Sequence, residues 1–409
     1  MTDPFDLTER HPVLGLPRAV WLLGLTSLFT DIGSEAIYPV LPVYLTRVLG
    51  AGAASLGLIE GCAEGVNSLL KIVAGQLSDR RSRRRPIVIA GYGLSSAVRP
   101  LVALVHTWPQ LFLVRFADRV GKGVRGAPRD AMLAQWATPD TRGRVFGFHR
   151  AMDHVGAIVG PLLSALFLFA WPTRYRTLFA LTAVPGALAV WTLFRVHEPR
   201  ARPVADARSA TAGPGVGWRG LPPAFVVLLV VLVVFSLGNS ADAFLLLRLS
   251  DAGIPTAFVP LLWAALHGVK ATVSVWGGIK SDRWGRRLLI GVGWLVYAVV
   301  YAAFAVSTSA GALVAWFLVY GFYYGLSEGT EKALVADLAP TALRGTAFGA
   351  YNAALGLGSL LASVVFGVVW TAYGPRAAFG LGAGLAALAT LMLSLLVRSP
   401  AGPHRGVRV

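Results

Sequence analysis

Apolar segments long enough to cross a membrane recur along the chain from near Val20 almost to its end. A helix needs about 20 apolar residues to cross a hydrocarbon core, so 409 residues have room for about twelve crossings with short loops. Only 14% of the residues are charged and 55% are hydrophobic, whereas soluble domains carry about 25% charged residues. The sequence therefore predicts an all-α polytopic membrane protein and excludes a soluble globular domain.

The apolar runs between charged or turn-rich breaks predict twelve transmembrane helices. Their ranges are 18–45, 53–77, 86–106, 109–133, 144–170, 175–195, 223–248, 256–279, 287–307, 311–337, 345–371 and 376–397. The connection 198–222 is rich in Ala, Pro, Gly and Arg, a composition typical of a flexible linker. The predicted organisation is an N-terminal six-helix bundle in 1–197, the linker 198–222, and a C-terminal six-helix bundle in 223–409.

The charges of the loops predict which side of the membrane each end of the chain occupies. Cytoplasmic loops are enriched in Lys and Arg, and a cytoplasmic N-terminus assigns the arginines of 80–85 and of the linker to the cytoplasm. Both termini are then cytoplasmic, and the composition favours a bacterial inner membrane. Residues 1–12 are acidic and broken by proline, unlike a secretory signal. The net charge of +17 then faces anionic lipid, and no nucleic-acid partner is needed to explain it.

Two sequence patterns occur twice, in the same order and at one offset. GQLSDRRSRRR at 75–85 recurs as GGIKSDRWGRR at 277–287, and RGRVFGFHRAMDHVG at 142–156 aligns with RGTAFGAYNAALGLG at 344–358. Both matches require a shift of about 202 residues. A duplicated six-helix unit is typical of transporters whose two halves move around a central site.

The repeated loop resembles the loop between helices two and three in the major facilitator superfamily, whose pattern is roughly G-x-L-x-D-R-x-G-R-R. The residues that match are Gly75, Asp79 and Arg80 in the first copy and Gly278, Asp282 and Arg283 in the second. This resemblance implies twelve helices in two pseudo-symmetric bundles. It also implies that the loop aspartate anchors a charged latch that stabilises one face of the transport cycle. A compact acid at a helix end can hold a neighbouring helix end and its arginines.

Helices four and five carry two further patterns of this superfamily. Arg115 lies in a stretch that resembles L-x3-R-x2-Q-G-x-G, in which the arginine is linked to proton transfer, although Asp118 and Arg119 replace the usual glutamine and glycine. Helix five resembles the antiporter pattern G-x8-G-x3-G-P of drug and metabolite exporters. Its matching residues are Gly147, Gly156, Gly160 and Pro161. Small residues at this spacing let two helices approach closely, and ordinary packing is the alternative reading.

Ionisable residues inside a membrane are costly unless they are paired or hydrated, so each is a functional candidate. The acids inside the predicted spans are Asp31, Glu35, Glu60, Glu64, Asp118, Asp153, Asp242, Glu328 and Glu331. Asp31 and Glu35 are one helical turn apart on helix one, which is interrupted by Pro39 and Pro42, as expected for a segment that lines a cavity. These two acids are the first choice for proton or substrate coupling. A static acid neutralised by one arginine remains the alternative.

Three more groups have two open interpretations each. On helix four, Arg115, Arg119 and Lys122 share a face and could bind an anion, or they could form salt bridges with Glu60 or Glu64. Helix five carries His149, Arg150, Asp153 and His154. Of these, His149 and Asp153 are one turn apart and could form a proton relay, whereas a metal site would need at least one more ligand. In the second half, Lys332 is the predicted local neutraliser of Glu331. Aromatic residues there, Trp294 among them, are predicted mainly to pack or to anchor the chain at the membrane interface, with an apolar binding wall as the alternative.

These features predict a secondary active transporter that moves a small organic solute by alternating access, most simply by proton-coupled efflux. The alternative within this class is a proton-coupled importer of an organic anion. The remote alternative is a membrane-embedded enzyme that uses the histidines of helix five, but catalytic and cofactor motifs are lacking. A single cysteine, Cys62, excludes a disulfide framework and a Cys-rich metal site. We expect a small-molecule substrate, protons and lipid as partners, neither cofactor nor metal, and a monomer.

Overall fold

The computed structural model describes residues 16–79, 84–137, 141–197, 221–340 and 343–397. These residues form helices and contain no β-strand. We name the helices α1 (Arg18–Ile37), α2 (Ala53–Asp79), α3 (Arg85–Leu104), α4 (Trp108–Gln135), α5 (Arg142–Ala170), α6 (Tyr175–Phe194), α7 (Pro223–Asp251), α8 (Phe258–Trp284), α9 (Arg286–Val306) and α10 (Ala310–Leu338). The last segment, Arg344–Leu396, is interrupted at Gly374, and we name its arms α11 (344–373) and α12 (375–396).

Three of these helices change direction or pitch: two where the sequence predicts a break, and α7 inside the span 223–248 that the sequence predicts to be continuous. After α1, the chain continues through a 3-10 turn at Tyr38–Val40 and a π turn at Tyr44–Val48, next to its two prolines. A proline removes one backbone hydrogen bond and clashes with the preceding turn. Helix α7 loses its helical conformation at Asn239 and resumes at Ala243. At Gly374, φ is 84°, a conformation that favours glycine and separates α11 from α12.

Seven stretches of the described chain are long and apolar enough to cross a membrane. They are Arg85–Leu104, Arg144–Ala170, Tyr175–Phe194, Pro223–Asp251, Arg286–Val306, Ala310–Leu338 and Ala347–Leu396, the last of which contains both α11 and α12. Helices α1, α2, α4 and α8 are not among them. The all-α membrane fold is thus confirmed, and the count of twelve spans stays a prediction.

The chain divides into two compact units. Unit 1 consists of Met1–Val204 together with Asp242–His267, and unit 2 consists of Ala205–Ala241 together with Gly268–Val409. The segment Asp242–His267 therefore groups with unit 1, although it follows the predicted linker in the sequence. It contains the second half of α7 and the beginning of α8.

In unit 1, helix α1 packs against α5 and α6, while α4 packs against α2 and α3. The α1–α5 contact is close because two glycines of α5 leave room for the backbone of α1. A Cβ at Gly156 would lie 2.7 Å from the Leu28 carbonyl oxygen, and one at Gly160 would lie 2.5 Å from the Ile32 carbonyl oxygen. These approaches fix the face of α1 that carries its acids next to α5.

In unit 2, the first half of α7 packs against α11, and α9 packs against α10 and the α11–α12 segment. The core of this unit is aromatic: Trp294, Tyr297, Tyr301 and Tyr320 are fully buried. Phe235 of α7 stacks on Trp294 of α9 with 4.3 Å between ring centroids and 8° between ring planes. The predicted packing role of Trp294 is thus confirmed.

Candidate functional site

Asp31 occupies the middle of α1 in unit 1, on the face that meets α5. A Cβ at Gly156 of α5 would lie 2.8 Å from the Asp31 Cβ, so the two helices touch at this point. The Asp31 side chain is half-buried. Within the described part of the chain its carboxylate forms neither a hydrogen bond nor an ion pair, while Asp153 and Lys122 lie within electrostatic range.

One turn along the same interface, Asp153 of α5 has partners on both helices. Ser27 of α1 donates a hydrogen bond to its Oδ1. The His149 Nδ1 atom lies 3.6 Å from its Oδ2, and the Arg150 Nη1 atom lies 4.0 Å from the same oxygen. The predicted contact of His149 and Asp153 across one helical turn is therefore present. The His149 Nε2 atom is buried and has no hydrogen-bond partner among the described residues.

Glu35, the second acid of α1, contacts the beginning of α8 within unit 1. The Trp263 indole Nε1 donates to Glu35 Oε2 at 2.9 Å, and the His267 Nε2 atom lies 4.0 Å from the same oxygen. Tyr38 packs against Trp263 with 5.0 Å between ring centroids. The Glu35 carboxylate therefore joins α1 to a segment that lies more than 200 residues later in the sequence.

Helix α4 carries two buried ion pairs. Arg115 makes a two-pronged contact with Glu60 of α2, with its Nη2 atom 2.7 Å from Oε1 and 2.9 Å from Oε2. Arg99 of α3 donates to Asp118 Oδ1 at 3.1 Å and to the Thr30 carbonyl oxygen of α1. Of the two interpretations of the arginines of α4, the structure favours salt bridging for Arg115, since Glu60 occupies its guanidinium.

The other charged residues of α2 and α4 near these pairs, Glu64, Arg119 and Lys122, do not form ion pairs of this kind among the described residues. Glu64 accepts a hydrogen bond from Asn67 at 3.0 Å. Arg119 and Lys122 are half-buried, and in the described part of the chain neither forms an ion pair or hydrogen bond. Both lie within electrostatic range of Glu64. A polar face with separated charges of both signs therefore remains on α2 and α4.

In unit 2, Glu331 of α10 is buried between two neutral donors. The Trp294 Nε1 atom of α9 donates to Oε1 at 2.8 Å, and the Tyr351 hydroxyl of α11 donates to Oε2 at 3.1 Å. The charge of Lys332 lies within electrostatic range of Glu331, as predicted, but its ion pair is with Glu328. The Lys332 ammonium points along the exposed side of α10 and donates to Glu328 at 3.1 Å, because residues four apart share a helix face.

The predicted site residues thus fall into separate groups. Asp31, Glu35, Asp153 and His149 come together at α1 of unit 1, and Glu60, Glu64, Arg115, Asp118 and Arg119 belong to α2 and α4 of the same unit. Asp242 begins the second half of α7 in unit 1, whereas Glu328 and Glu331 belong to unit 2. Among the described residues, no group of three or more His, Cys, Asp or Glu residues could hold a metal ion.

The glycines of helix five do not all act in the same way. Gly156 and Gly160 make close helix contacts, as their pattern predicts, but a Cβ at Gly147 would meet nothing within 4 Å. The packing role predicted for Gly147 is therefore wrong, because this end of α5 has no close neighbour at that position. Of the loop residues, Gly75 lies within α2, and Gly278 lies within α8. Arg80 and the side chains of Asp79, Asp282 and Arg283 lie outside the described residues.

Several partners of these acids were not predicted from the sequence. Trp263, Trp294 and Tyr351 each donate a hydrogen bond to a buried or half-buried carboxylate. Helical spacing alone places Ser27 on the face of α1 that carries Asp31, so its position beside the acids could have been predicted. The position of Trp263 could not, because its contact with Glu35 depends on the tertiary position of a distant segment.

Comparison with known proteins gives one consistent result. The profile of the Major Facilitator Superfamily matches residues 23–274 and 250–408. An MFS-type transporter of Methanocaldococcus jannaschii is 34% identical over 384 residues, which cover 92% of this chain and 94% of that protein. Multidrug resistance protein MdtH of an Enterobacter species is 24% identical over 362 residues, covering 83% of this chain and 84% of that protein.

The fold is shared with solved structures of low sequence identity. The crystal structure of a D-xylose-proton symporter superimposes with a TM-score of 0.75 at 17% identity, and the match covers 94% of this chain and 98% of the other. The profile match spans nearly the whole chain, and the archaeal relative exceeds 30% identity over most of both proteins. This chain belongs to the Major Facilitator Superfamily of membrane transporters.

Proposed function

We propose that this protein exports a small organic solute in exchange for protons, by alternating access of two six-helix halves, 1–197 and 223–409, joined by the linker 198–222. The observation that carries the proton coupling is the Asp31 carboxylate. It is half-buried in the middle of α1 and has no hydrogen-bond or ion-pair partner among the described residues. Seven other acids of the predicted spans each accept a hydrogen bond: Glu35, Glu60, Glu64, Asp118, Asp153, Glu328 and Glu331.

The lack of a partner matters because a coupling acid must exist in both a charged and a neutral form. An acid held by a guanidinium, such as Glu60, loses that contact when it is protonated, and the arginine is left unpaired at a cost of several kcal/mol. Asp31 carries no such penalty. The neighbouring group of Ser27, Asp153 and His149 provides hydroxyl, carboxylate and imidazole atoms one turn away, which suits proton exchange with Asp31.

Glu35 supplies the second part of the coupling. Its carboxylate accepts the Trp263 indole proton and so contributes to the contact between α1 and the beginning of α8. Protonation or a bound cationic solute would weaken that contact, because the indole nitrogen only donates and a neutral carboxyl group is a weaker acceptor. Occupation of the Glu35 carboxylate is thereby linked to the position of the segment that carries Trp263.

Efflux is supported by the name of one relative, a multidrug resistance protein, and by the exporter-like pattern of Gly156, Gly160 and Pro161 in α5. The loop charges support cytoplasmic termini and insertion in the inner membrane. A transport role without enzymatic chemistry agrees with the family, and we propose a monomer as the working unit.

A second candidate function, proton-coupled import of an organic anion, is favoured by Arg119 and Lys122. These two cations are one turn apart on α4 and are unpaired in the described part of the chain. A carboxylate or phosphate group on a solute would satisfy both. The two candidates differ in the direction of transport and in the charge of the solute, so one assay separates them.

The test uses proteoliposomes that contain a pH-sensitive dye. Lipophilic cations, neutral drugs and organic anions are added, and proton movement is recorded for the wild type and for D31N, E35Q and R119Q. Coupled efflux predicts that proton movement triggered by a cationic or neutral solute disappears in D31N. The control is D130N, which changes an exposed acid bound to the adjacent Arg129. Solute transport that ignores a proton gradient and is unchanged in D31N would contradict the proposal.

A further inference from the structure

The Glu331 carboxylate of unit 2 is buried, and among the described residues no cation forms an ion pair with it. Glu331 is 7% exposed, Tyr351 is 2% exposed and Trp294 is not exposed at all. Among the described residues, the carboxylate has two hydrogen-bond partners, and both are neutral donors. Buried acids in proteins are usually held by a cation, so this arrangement requires an explanation.

The two donors differ in what they can do when the acid changes its charge. The Trp294 indole nitrogen can only donate, so the oxygen that it contacts, Oε1, must remain an acceptor. The Tyr351 hydroxyl can donate or accept, so its bond to Oε2 can reverse. A proton that arrives at Oε2 would turn this atom into a donor to Tyr351, and the tyrosine hydrogen would rotate to another acceptor.

We infer that Glu331 is a proton-binding site of unit 2, in which the proton is held at Oε2 by reversal of the hydrogen bond to Tyr351 while Trp294 holds Oε1 in place. Trp294 and Tyr351 are positioning residues. The site is separate from the Asp31 site of unit 1, and it can exist whether or not transport is proton-coupled. Its participation in the transport cycle rests on the proposed function.

The surroundings of Glu331 favour this role over that of a permanently charged acid. On its own helix, Glu328 and Lys332 pair with each other on the more exposed side. From α9 it is faced by Trp294 and from α11 by Tyr351, both uncharged. Two cations of neighbouring helices contact other residues of α10. Arg286 of α9 pairs with Asp337, and the Lys270 ammonium of α8 lies 3.5 Å from the centroid of the Tyr324 ring.

The Trp294 indole is held in place by the aromatic rings packed around it. Phe235 stacks on the indole ring, and Tyr297 is fully buried beside Phe235 with 5.3 Å between ring centroids. The Tyr297 hydroxyl donates to the Gly238 carbonyl oxygen at 2.9 Å, so it does not compete for Glu331. A proton can therefore be added or removed with rotation of one tyrosine hydroxyl and without movement of the indole.

The experiment is infrared difference spectroscopy on the purified full-length protein in detergent, without substrate, over the pH range in which it stays folded. We expect a C=O band of a protonated carboxyl group that grows as the pH falls. The part of this band that belongs to Glu331 should be missing in E331Q, whose amide oxygen can accept from Trp294 and whose amide nitrogen can donate to Tyr351. It should persist in D31N and in D130N.

Y351F provides a test that keeps the acid in place. The Tyr351 hydroxyl bonds more strongly to the charged carboxylate than to the neutral acid, so its removal should leave a larger fraction of Glu331 protonated at a given pH than in the wild type. A band of unchanged amplitude in E331Q, the absence of any titrating band, or an unchanged protonated fraction in Y351F would each overturn the inference. Size-exclusion chromatography identifies a misfolded E331Q, in which case Y351F alone decides. Failure of proton-coupled transport in liposomes would leave these spectra unaffected.

Discussion

Unit 1 and unit 2 form equivalent helix contacts with different kinds of side chain. At positions related by the internal repeat, the buried ion pair of Arg99 and Asp118 in unit 1 corresponds to Tyr301 and Tyr320 in unit 2, whose ring centroids are 6.2 Å apart. The same contact is thus an ion pair in unit 1 and a tilted pair of aromatic rings in unit 2. The helix scaffold does not require ions at these positions, so the charges of unit 1 need a reason other than packing.

The proposed proton site follows the same pattern. The positions of Trp294, Glu331 and Tyr351 correspond through the repeat to Tyr92, Arg129 and His149 in unit 1. In unit 1 the residue at the Glu331 position is therefore a permanent cation, and that at the Tyr351 position is an imidazole 3.6 Å from Asp153. One position of the shared scaffold therefore carries opposite charges in the two units, because the neighbouring side chains differ.

The largest expected effect comes from breaking an ion pair of unit 1. R115M leaves the Glu60 carboxylate buried without its arginine, which should lower the free energy of unfolding by about 3–5 kcal/mol. SDS-induced unfolding in mixed detergent micelles measures this loss. The double variant E60M/R115M should recover most of it, because no uncompensated charge remains. A loss below about 1 kcal/mol in R115M would mean that the pair is hydrated.

The next effect comes from the close contact of α1 and α5 in unit 1, which depends on packing and not on charge. G160A places a Cβ 2.5 Å from the Ile32 carbonyl oxygen, so α1 and α5 must separate, at a cost of about 1–3 kcal/mol. The controls are G147A and its repeat counterpart G349A, where a Cβ meets nothing within 4 Å. These two should be neutral or more stable, since alanine favours a helix. Equal loss in all three variants would refute a specific contact.

A smaller effect is expected at the unit 2 counterpart of Arg99. Y301F keeps the aromatic stacking and removes the hydroxyl, with its 3.1 Å hydrogen bond to Ser240 and its contact with the Tyr297 hydroxyl. The expected loss is about 1 kcal/mol in the same unfolding assay. If Y301F costs as much as R115M, the two units do not differ in the way that their contacts indicate.

The smallest effect is expected for K332Q. Lys332 forms an exposed pair with Glu328 one turn away, and such pairs contribute about 0.3–0.5 kcal/mol. We expect little change in unfolding and no change in the infrared band assigned to Glu331. A large shift of that band in K332Q would mean that the charge of Lys332, and not only the two neutral donors, controls the protonation of Glu331.

The sequence predicts the fold because its signals are local. Apolar runs, breaking prolines and glycine spacing are each read within one or two helices, and the helix breaks at Tyr38–Val40 and Gly374 lie where proline or glycine occurs. The site is harder to predict because its partners are distant. Helical spacing places Glu331 and Lys332 side by side in sequence but on different faces, and only the tertiary structure brings Trp294 and Tyr351 to the acid.

The grouping of Asp242–His267 with unit 1 has a consequence for cutting the chain. The backbone leaves unit 2 after Ala241 and returns to it after His267. An N-terminal fragment ending in the linker would therefore lack part of its own unit, including Trp263, the donor to Glu35. If the two fragments were co-expressed, the C-terminal fragment would have to supply Asp242–His267 to unit 1. Recovery of function would therefore report whether this segment can bind to unit 1 when it is no longer covalently joined to it.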